Sequence, residues 1–483
     1  MTVNNKYEAV IGLEVHAQLQ TKSKAFSKDP VSYGEKPNTM VDPVSLGHPG
    51  TLPVFNKEVV AMALKMGLAC EADIREVNQF ARKNYFYADL PKGYQITQDD
   101  TPICTNGFVE YKMGDETKKV RLIRIHMEED AGKSIHDLDP FNTLIDLNRC
   151  GVPLIEIVTM PDLRSGDEAF AYLMEMRKLV RYLDVCDGNM EEGSLRCDAN
   201  ISVRLRGAEE YGQKVEVKNM NSMRNVKKAI EFEIERQIDC LETGIEIMHE
   251  TRSFDASKGT TFSMRSKEEA NDYRYFPEPD LPPVIVDEAW LNEVKASMPA
   301  LPKELTKIFT KELGLSEYDA TVITEDKQIA LYFQNLTKLT KNYKAAANWI
   351  IGPVKSYLNE KALHFEDFPL PEQKIAEIID LIDEGKLSFT AASQKLFPVM
   401  AQSPEKPAKE LAESLNLIQD SDEDTLSGFV LEAIQAYPEK VKEYQAGKKG
   451  LMGLFMGEVM KRSKGKADPK KASAILQEML DKA

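Results

Sequence analysis

The sequence predicts an α+β protein: an N-terminal antiparallel-sheet domain with one open face, an all-α domain after it, and a small helical tail. Three observations predict this. Up to about residue 290, short runs alternate apolar and polar residues between Gly, Pro and Asn turns such as Lys36-Pro-Asn38, His48-Pro-Gly50 and Asn106-Gly107. Beyond that point the apolar spacing becomes helical. Between the two regimes lies Phe276-Pro-Glu-Pro-Asp-Leu-Pro-Pro283, which cannot continue a helix and reads as a rigid connector.

In Ile11–Leu19 the residues Ile11, Leu13, Val15, Ala17 and Leu19 alternate with Gly12, Glu14, His16 and Gln18, the period of a half-buried strand. Glu14 and His16 therefore point the same way. Lys57–Leu68 follows as a helix, with Val60, Ala63, Leu64 and Gly67 on one stripe. In Arg121–Asp130, Ile123, Ile125 and Met127 share one face of a strand, and Arg124, His126, Glu128 and Asp130 share the other. Glu129 falls on the apolar side or starts a turn. Glu156 interrupts the apolar run Val152–Val158, where a charge either faces solvent or is paired. A helix over Asp167–Tyr182 opens after Ser165-Gly166 with acidic residues suited to an N-terminus. Gly193–Arg204 is a strand burying Leu195, Cys197, Ala199, Ile201 and Val203 and presenting Arg196, Asp198, Asn200, Ser202 and Arg204. Asn221–Leu241 carries Val226, Ala229, Ile230, Ile234 and Ile238 as a third helix.

Helices are expected next at Gln328–Leu339 and Ala345–Leu358, the second kinked or broken at Gly352-Pro353. After the proline joint Phe368–Pro371, Ile375, Ile378, Ile379 and Ile382 mark a helix over Glu372–Glu384 that ends at Gly385. Further helices are read at Phe389–Phe397, Lys406–Leu415, Leu426–Ala436 and Met452–Lys461. Ser403-Pro-Glu-Lys-Pro407 is the best start for a separate tail, which gives domains over 1–290, 291–405 and 406–483.

A hydrophobic fraction of 42% and a charged fraction of 29% are ordinary for a soluble globular chain of 483 residues. No apolar stretch approaches the ~18 residues of a membrane span, and the first residues lack a signal-peptide pattern, so a cytoplasmic, membrane-free protein is expected. The six cysteines are scattered without a C-x-x-C pair, and neither a zinc site nor a disulfide framework follows from them. A net charge of −16 argues against general nucleic-acid binding. From Glu439 to the end, however, eleven Lys/Arg stand against six Asp/Glu, a local balance of +5. Any nucleic-acid contact should concentrate there.

A one-sided sheet is ordinary, and a solvated polar face would account for any single strand. The polar faces nevertheless converge on carboxylates and imidazole, a donor set that suits a hard divalent cation such as Mg²⁺. Phosphate-binding loops, dinucleotide fingerprints and kinase loops are missing. A nucleotide would have to be held through metal-bridged phosphates and isolated basic residues. No Ser, Cys or Lys nucleophile stands out, which argues against amidase chemistry on this chain. Arg82, Lys83, Asn84, Tyr85 and Tyr87 combine basic and aromatic groups able to stack on a nucleotide base or an unpaired tRNA end; the alternative is a strand edge with packed aromatics. Lys218 and Asn219 are further candidates for phosphate contact.

The stretches IGLEVHAQL, RKNYFYADLPKGYQI, HMEEDAGKS, DLNRCGVPLIEIV, MEEGSLRCDANISVR and DYRYFPEPDLPP, with the tail GLMGLFMGEVMKRSKGKADP, closely resemble the B subunits of the aspartyl/glutamyl-tRNA amidotransferases, the GatB family. The resemblance covers nearly the whole chain. It implies a cradle-like catalytic domain with kinase and transamidase activity at the N-terminus, and a heterotrimer completed by an amidase (the A subunit) and a small third chain (the C subunit). It also implies a ligase reaction: ATP phosphorylates the side-chain carboxylate of Glu-tRNA(Gln) or Asp-tRNA(Asn), and ammonia from the amidase displaces phosphate. By position the resemblance puts Mg²⁺ at Glu14, His16, Glu128, Glu129, Glu156 and Asp198, with Glu14, His16, Glu128 and Asp198 catalytic; His126 serves as a ligand or orients one. The nucleotide falls to Arg82, Lys83 and Lys218. Misacylated tRNA falls to Tyr85 and Tyr87 and to the tail residues Lys448, Lys449, Lys461, Arg462, Lys464 and Lys466, where Gly450, Gly453 and Gly457 would let a backbone approach closely. The chain departs from the family where many members carry four zinc-binding cysteines: Ser27, Asp29, Asp42 and Ser45 stand near those positions. Zinc is therefore not expected, and the loop from Ser27 to Ser45 must be held by packing alone. Two other readings compete, a non-catalytic tRNA-binding adaptor with structural carboxylates and a free-standing metallohydrolase.

Overall fold

The alternating run around Glu14 forms one long strand, β1 (Tyr7–Gln18), in which Ile11, Leu13, Val15 and Ala17 are fully buried. It lies inside a 13-stranded sheet. The computed structural model that reveals it describes residues 6–136, 138–266, 273–419, 423–463 and 467–482. Nine further strands of the sheet are β2 (Ala81–Asn84), β3 (Tyr94–Thr97), β4 (Glu116–Glu129), β5 (Pro153–Thr159), β6 (Leu195–Leu205), β7 (Val215–Lys218), β8 (Glu250–Asp255), β9 (Thr260–Ser266) and β10 (Arg274–Pro277). Their spatial order is β9-β8-β7-β6-β1-β5-β4-β3-β2-β10, and three other strands pair off this path. Each pairing along it is antiparallel except β7 with β8. The connector of prolines around residue 277 is thus partly a strand: β10 pairs with β2, Tyr275 opposite Lys83.

Three helices cover one face of the sheet: α1 (Lys57–Ala69), α2 (Gly166–Tyr182) and α3 (Met223–Thr243). Each begins at a side-chain cap, where Asn56, Ser165 and Ser222 accept hydrogen bonds from the amides of Glu58, Glu168 and Asn225. Val60, Leu64, Tyr172, Val226 and Ile230 join Ile11, Val15, Ile125, Ile157 and Ile201 in one buried core. Gly67 belongs to the stripe of α1 because a Cβ there would lie 2.4 Å from Cys104 Sγ. Cys70, Cys104, Cys150, Cys186 and Cys197 are buried thiols and Cys240 is partly buried. With helices on the odd-numbered side of β1, the even-numbered side remains open.

The loop between Ser27 and Ser45 is not held by packing alone. Lys24 is fully buried and donates to the Met40 carbonyl at 2.6 Å. Asp42 accepts from the Ser45 amide at 2.7 Å. Burial lowers the affinity of Lys24 for its proton, and Asp29 and Asp42 oppose that loss. A buried ammonium survives beside such acceptors where it would otherwise be prohibitive.

The chain forms two compact units, Met1–Leu301 and Pro302–Ala483. In the second, the kink or break expected at Gly352-Pro353 falls in a π turn, Ile350–Val354, joining Tyr343–Trp349 to Lys355–Lys361. The wider turn accommodates the proline ring and its missing N–H without stopping the chain of helical residues. A second π turn, Ala392–Leu396, similarly carries the helix begun at Phe389 through to Gln402. The Ile-rich helix spans Glu372–Asp383, and Gly385 beyond it has φ +71°. Helices at Pro438–Gln445 and Pro469–Lys482, not read from the sequence, bring Tyr444, Ala472, Leu476 and Leu480 into a core with Leu426, Phe455 and Val459.

Candidate active site

The strand register gathers the open-face residues into rows. His126 on β4 lies opposite Glu156 on β5, which lies opposite His16 on β1, which lies opposite Arg196 on β6. One pleat along, Glu14 faces Asp198. Two donor groups result: His16 with Glu128 and Glu156, and Glu14 with Asp198 and Glu216; within each, the ligand-capable atoms lie within 4.8 Å of one another. His16 Nε2 is 3.4 Å from Glu156 Oε2 and 3.6 Å from Glu128 Oε1. His126 Nε2 approaches the same two carboxylates, at 3.3 and 3.7 Å, while its Nδ1 is buried without a partner. Both groups border a cleft of about 970 Å³ that Lys83, Tyr85, Tyr87, Arg124, Tyr273 and Tyr275 also line.

Burial alone would strip the proton from both imidazoles, but Glu156 and Glu128 outweigh it, raising His16 and lifting His126 to about 9. Burial pushes Glu156 the other way, toward protonation, and the two histidines overcome it and hold its carboxyl well below the usual range. Glu14 is raised, first by loss of water and then by the neighbouring Glu156 charge; its Oε1 accepts from Asn200 Nδ2 at 2.8 Å. Protons on histidine thus balance carboxylates that a divalent cation could balance instead, as metal binding at such sites displaces protons. The donor chemistry, carboxylate oxygens with one or two imidazole nitrogens, fits a hard cation such as Mg²⁺.

The GatB/GatE catalytic domain family matches residues 9–292, and the GatB domain family matches residues 331–480. The chain belongs to the GatB family. It is 50% identical over 476 residues to the aspartyl/glutamyl-tRNA(Asn/Gln) amidotransferase B subunit of Chlorobium limicola, covering 99% of this chain and 100% of that relative. The B subunits of Chlorobaculum tepidum (49% over 475 residues, 98% of this chain and 99% of that one) and Salinibacter ruber (48% over 495 residues, 99% and 97%) are similar to the same extent. A tRNA-binding domain of glutaminyl-tRNA synthetase from Saccharomyces cerevisiae covers 38% of this chain and is itself 94% covered, at 18% identity and a TM-score of 0.25, too slight a likeness to bear on fold. Among the described residues no helix is long and apolar enough to cross a membrane.

This GatB-family chain brings Glu14, His16, Glu128, Glu156 and Asp198 together but leaves two predicted residues out. Glu129, one residue out of phase with Glu128, turns to the other side of the sheet: it pairs with Lys92, accepts from the Ile96 amide at 2.9 Å and does not line the cleft. Arg82 is likewise outside the lining; it holds Glu278 with two bonds of 2.7 and 2.8 Å and Asp280 with one of 3.0 Å, beneath the Tyr94 ring. Lys83 does reach the cleft, with Nζ 4.6 Å from the centre of the Tyr273 ring. Tyr85 packs edge-on against both Tyr87 and Tyr273, at centroid distances of 5.8 and 5.6 Å. Lys218 reaches it too, though already paired: Nζ is 2.5 Å from Asp198 Oδ2 and 3.1 Å from Glu216 Oε1. Asn219, at φ 65°, donates to Ser253 Oγ.

Sequence reading missed Glu216, although Val215-Glu-Val-Lys218 carries the same alternation and puts it on the Lys218 face. It also missed Tyr275 on β10 and Tyr273 just before that strand, both of which line the cleft. In the tail, Lys448 pairs with Glu443, Lys449 with Asp481, and Arg462 with Glu432 and Glu458; Lys461 is 4.0 Å from Glu458. Lys464 and Lys466 lie outside the described residues. At Gly450, Gly453 and Gly457 an added Cβ would meet nothing within 4 Å.

Proposed function

We propose that this chain is the catalytic B subunit of a tRNA-dependent amidotransferase. In this reading ATP phosphorylates the side-chain carboxylate of a misacylated glutamyl- or aspartyl-tRNA at the cleft, and ammonia supplied by a partner amidase replaces the phosphate. The names of the relatives support the assignment, and their designation as one subunit of several supports a complex with an amidase A subunit and a small C subunit. The observation that carries it is the pair of donor clusters side by side on the open face.

Mg²⁺ held by His16, Glu128 and Glu156 would supply charge neutralisation for phosphoryl transfer, where positioning and electrostatics do most of the work. The chain's own contributions are separable. Lys83 offers an ammonium at the cleft wall, close enough for Glu128 and Glu156 to raise its affinity for a proton against the effect of burial. It is therefore charged when a phosphate arrives. Tyr85, Tyr87 and Tyr273 offer ring faces and edges on which a base can stack. The cleft volume is at the upper end of the roughly 300–1,000 Å³ typical of small-molecule sites, which suits a nucleotide or the aminoacylated end of a tRNA. The basic tail from residue 406 onward grips the tRNA body in this reading, through Lys448, Lys449, Lys461 and Arg462 together with Lys464 and Lys466. Neutralising those residues should flatten the salt dependence of tRNA binding.

The test is ATP-dependent formation of amidated tRNA by the reconstituted three-subunit complex, wild type beside Glu14→Ala, His16→Ala and Asp198→Ala. Variants that bind misacylated tRNA normally but lose amidation support the reading. Wild-type amidation rates in all three would sink it and favour the adaptor alternative, which also predicts no tRNA-stimulated, Mg²⁺-dependent ATP hydrolysis.

A further inference from the structure

Carboxylates from β1, β5, β6 and β7 border the cleft on one side, and Lys83, Arg124 and Arg274 from β2, β4 and β10 border it on the other. Arg124 leaves β4 on the same face as His126, two residues ahead of it. Register places it opposite Val158 on β5, and Val158 opposite Glu14 on β1, so a single apolar side chain separates Arg124 from the row of Glu14 and Asp198. Val158 itself borders the cleft, so the space above it is open. The Nε of Arg124 is buried and donates to nothing, and among the described residues its side chain has neither a hydrogen bond nor an ion pair. The other arginines nearby are paired or open to solvent: Arg196 meets Asp130 at 3.0 Å, Arg82 holds Glu278, and Arg274 is exposed beside the Phe276 ring. Burial raises the affinity of the Tyr275 phenol for its proton, and Lys83 and Arg124 oppose that, which sets both cations around one ring of the cleft wall. A buried donor without an acceptor is destabilising, so its persistence calls for an explanation. A guanidinium keeps its charge at any physiological pH and offers two parallel N–H groups, the geometry that carboxylates and phosphates match.

We propose that Arg124 is an oxyanion-binding residue of this cleft, completed by an anionic group of a substrate and not by any group of the protein. The inference rests on the amidotransferase reading, which supplies two anions of the right class: the terminal phosphate of the nucleotide and the side-chain carboxylate that receives it. Each marks a substrate off from its product. A nucleoside diphosphate lacks the first, and an amidated side chain lacks the second. Arg124 thereby separates substrate from product, holding the charged species and releasing its successor.

Equilibrium binding by the reconstituted three-subunit complex tests this through two ratios: affinity for ATP over ADP, and affinity for one tRNA carrying glutamate over the same tRNA carrying glutamine. Arg124→Gln should cut at least one ratio by roughly 10–100-fold, the size of a lost charge-assisted pair of hydrogen bonds. A cut in the nucleotide ratio assigns Arg124 to the terminal phosphate, and a cut in the tRNA ratio assigns it to the carboxylate. A merely structural role would weaken both members of each pair alike and move neither ratio. Arg124→Lys, which keeps the charge but not the paired donors, should cut the same ratio about threefold or more, and it carries the test should the glutamine variant not fold. The inference is overturned if both ratios stay within about twofold of wild type in the folded variants, or if the wild type shows neither preference. Because these are binding ratios, they can fail while amidation proceeds, and amidation can fail while they hold.

Discussion

Replacing Arg82 by methionine separates a structural role from a nucleotide-binding one. Arg82 donates three hydrogen bonds, at 2.7 and 2.8 Å to Glu278 and 3.0 Å to Asp280, and the Glu278 side chain is 0% exposed. After the substitution Glu278 keeps only the Asp280 amide, 3.0 Å from its Oε1. Removing one partner of a buried pair costs about 3–5 kcal/mol, chiefly because the other charge stays buried. Because Arg82 itself is one-fifth exposed and the amide remains, the low end, about 3 kcal/mol, is expected. At a urea slope of about 3 kcal/mol/M this lowers the midpoint by roughly 1 M. The chain has two tryptophans, Trp290 in the first unit and Trp349 in the second, so Trp290 emission in a Trp349→Phe background follows the unit that holds Arg82. The double variant Arg82→Met/Glu278→Met, with neither charge left to bury, should recover most of the loss. A midpoint shift under about 0.2 M combined with a raised KM for ATP would refute the argument and return Arg82 to the nucleotide.

Three further outcomes are expected. Glu216→Gln should slow phosphate release from ATP roughly 10–100-fold while leaving tRNA affinity unchanged, the order seen when a group tuning a metal site is altered; an unaffected rate would remove Glu216 from the site. Lys24→Met leaves the Met40 carbonyl and two aspartates facing a buried void of charge, so the loop between residues 27 and 45 should be cut faster in limited proteolysis and stability should fall by about 1–3 kcal/mol, whereas unchanged cleavage would show that packing suffices. Gly67→Ala drives a methyl to 2.4 Å from Cys104 Sγ and should cost about 1–3 kcal/mol, with Cys104→Ala in the same chain relieving most of it.

Much of the sheet was legible because its strands are one-sided. The period of two placed Glu14, His16, His126, Glu128 and Asp198 on the open side; two of the covering helices announced themselves by an apolar stripe and the one opening after Ser165-Gly166 by its acidic start. What escaped were features that depend on partners distant in sequence. Arg82 reads as a free basic group until β10 brings Glu278 beside it, nearly two hundred residues later. Lys24 finds its buried acceptor, the Met40 carbonyl, only once the loop has folded over it. At Pro353 local chemistry was read correctly, but a π turn is a third option between kink and break, and apolar spacing does not distinguish it.

The site shows the same division between local and long-range information. A strand's period says which side chains share a face, but not which face-mates on other strands stand opposite; that is fixed by register, and a slip of one residue would send the whole set to the core. The register pairing His16 with Glu156 and Glu14 with Asp198 converts a list of polar residues into two clusters of different character. One is completed by a histidine on β4, whose proton a metal can replace, and the other by a lysine on β7, whose charge is permanent near neutral pH. Lys218 and His126 lie on opposite sides of β1 in the sheet, so the asymmetry is built by strand order and not by any single motif. A face that merely met solvent would have no need to pair carboxylates with imidazoles on one side and an ammonium on the other. Because each arrangement buries charge that only its partner offsets, their coexistence in one cleft is the strongest structural argument that the open face does chemistry.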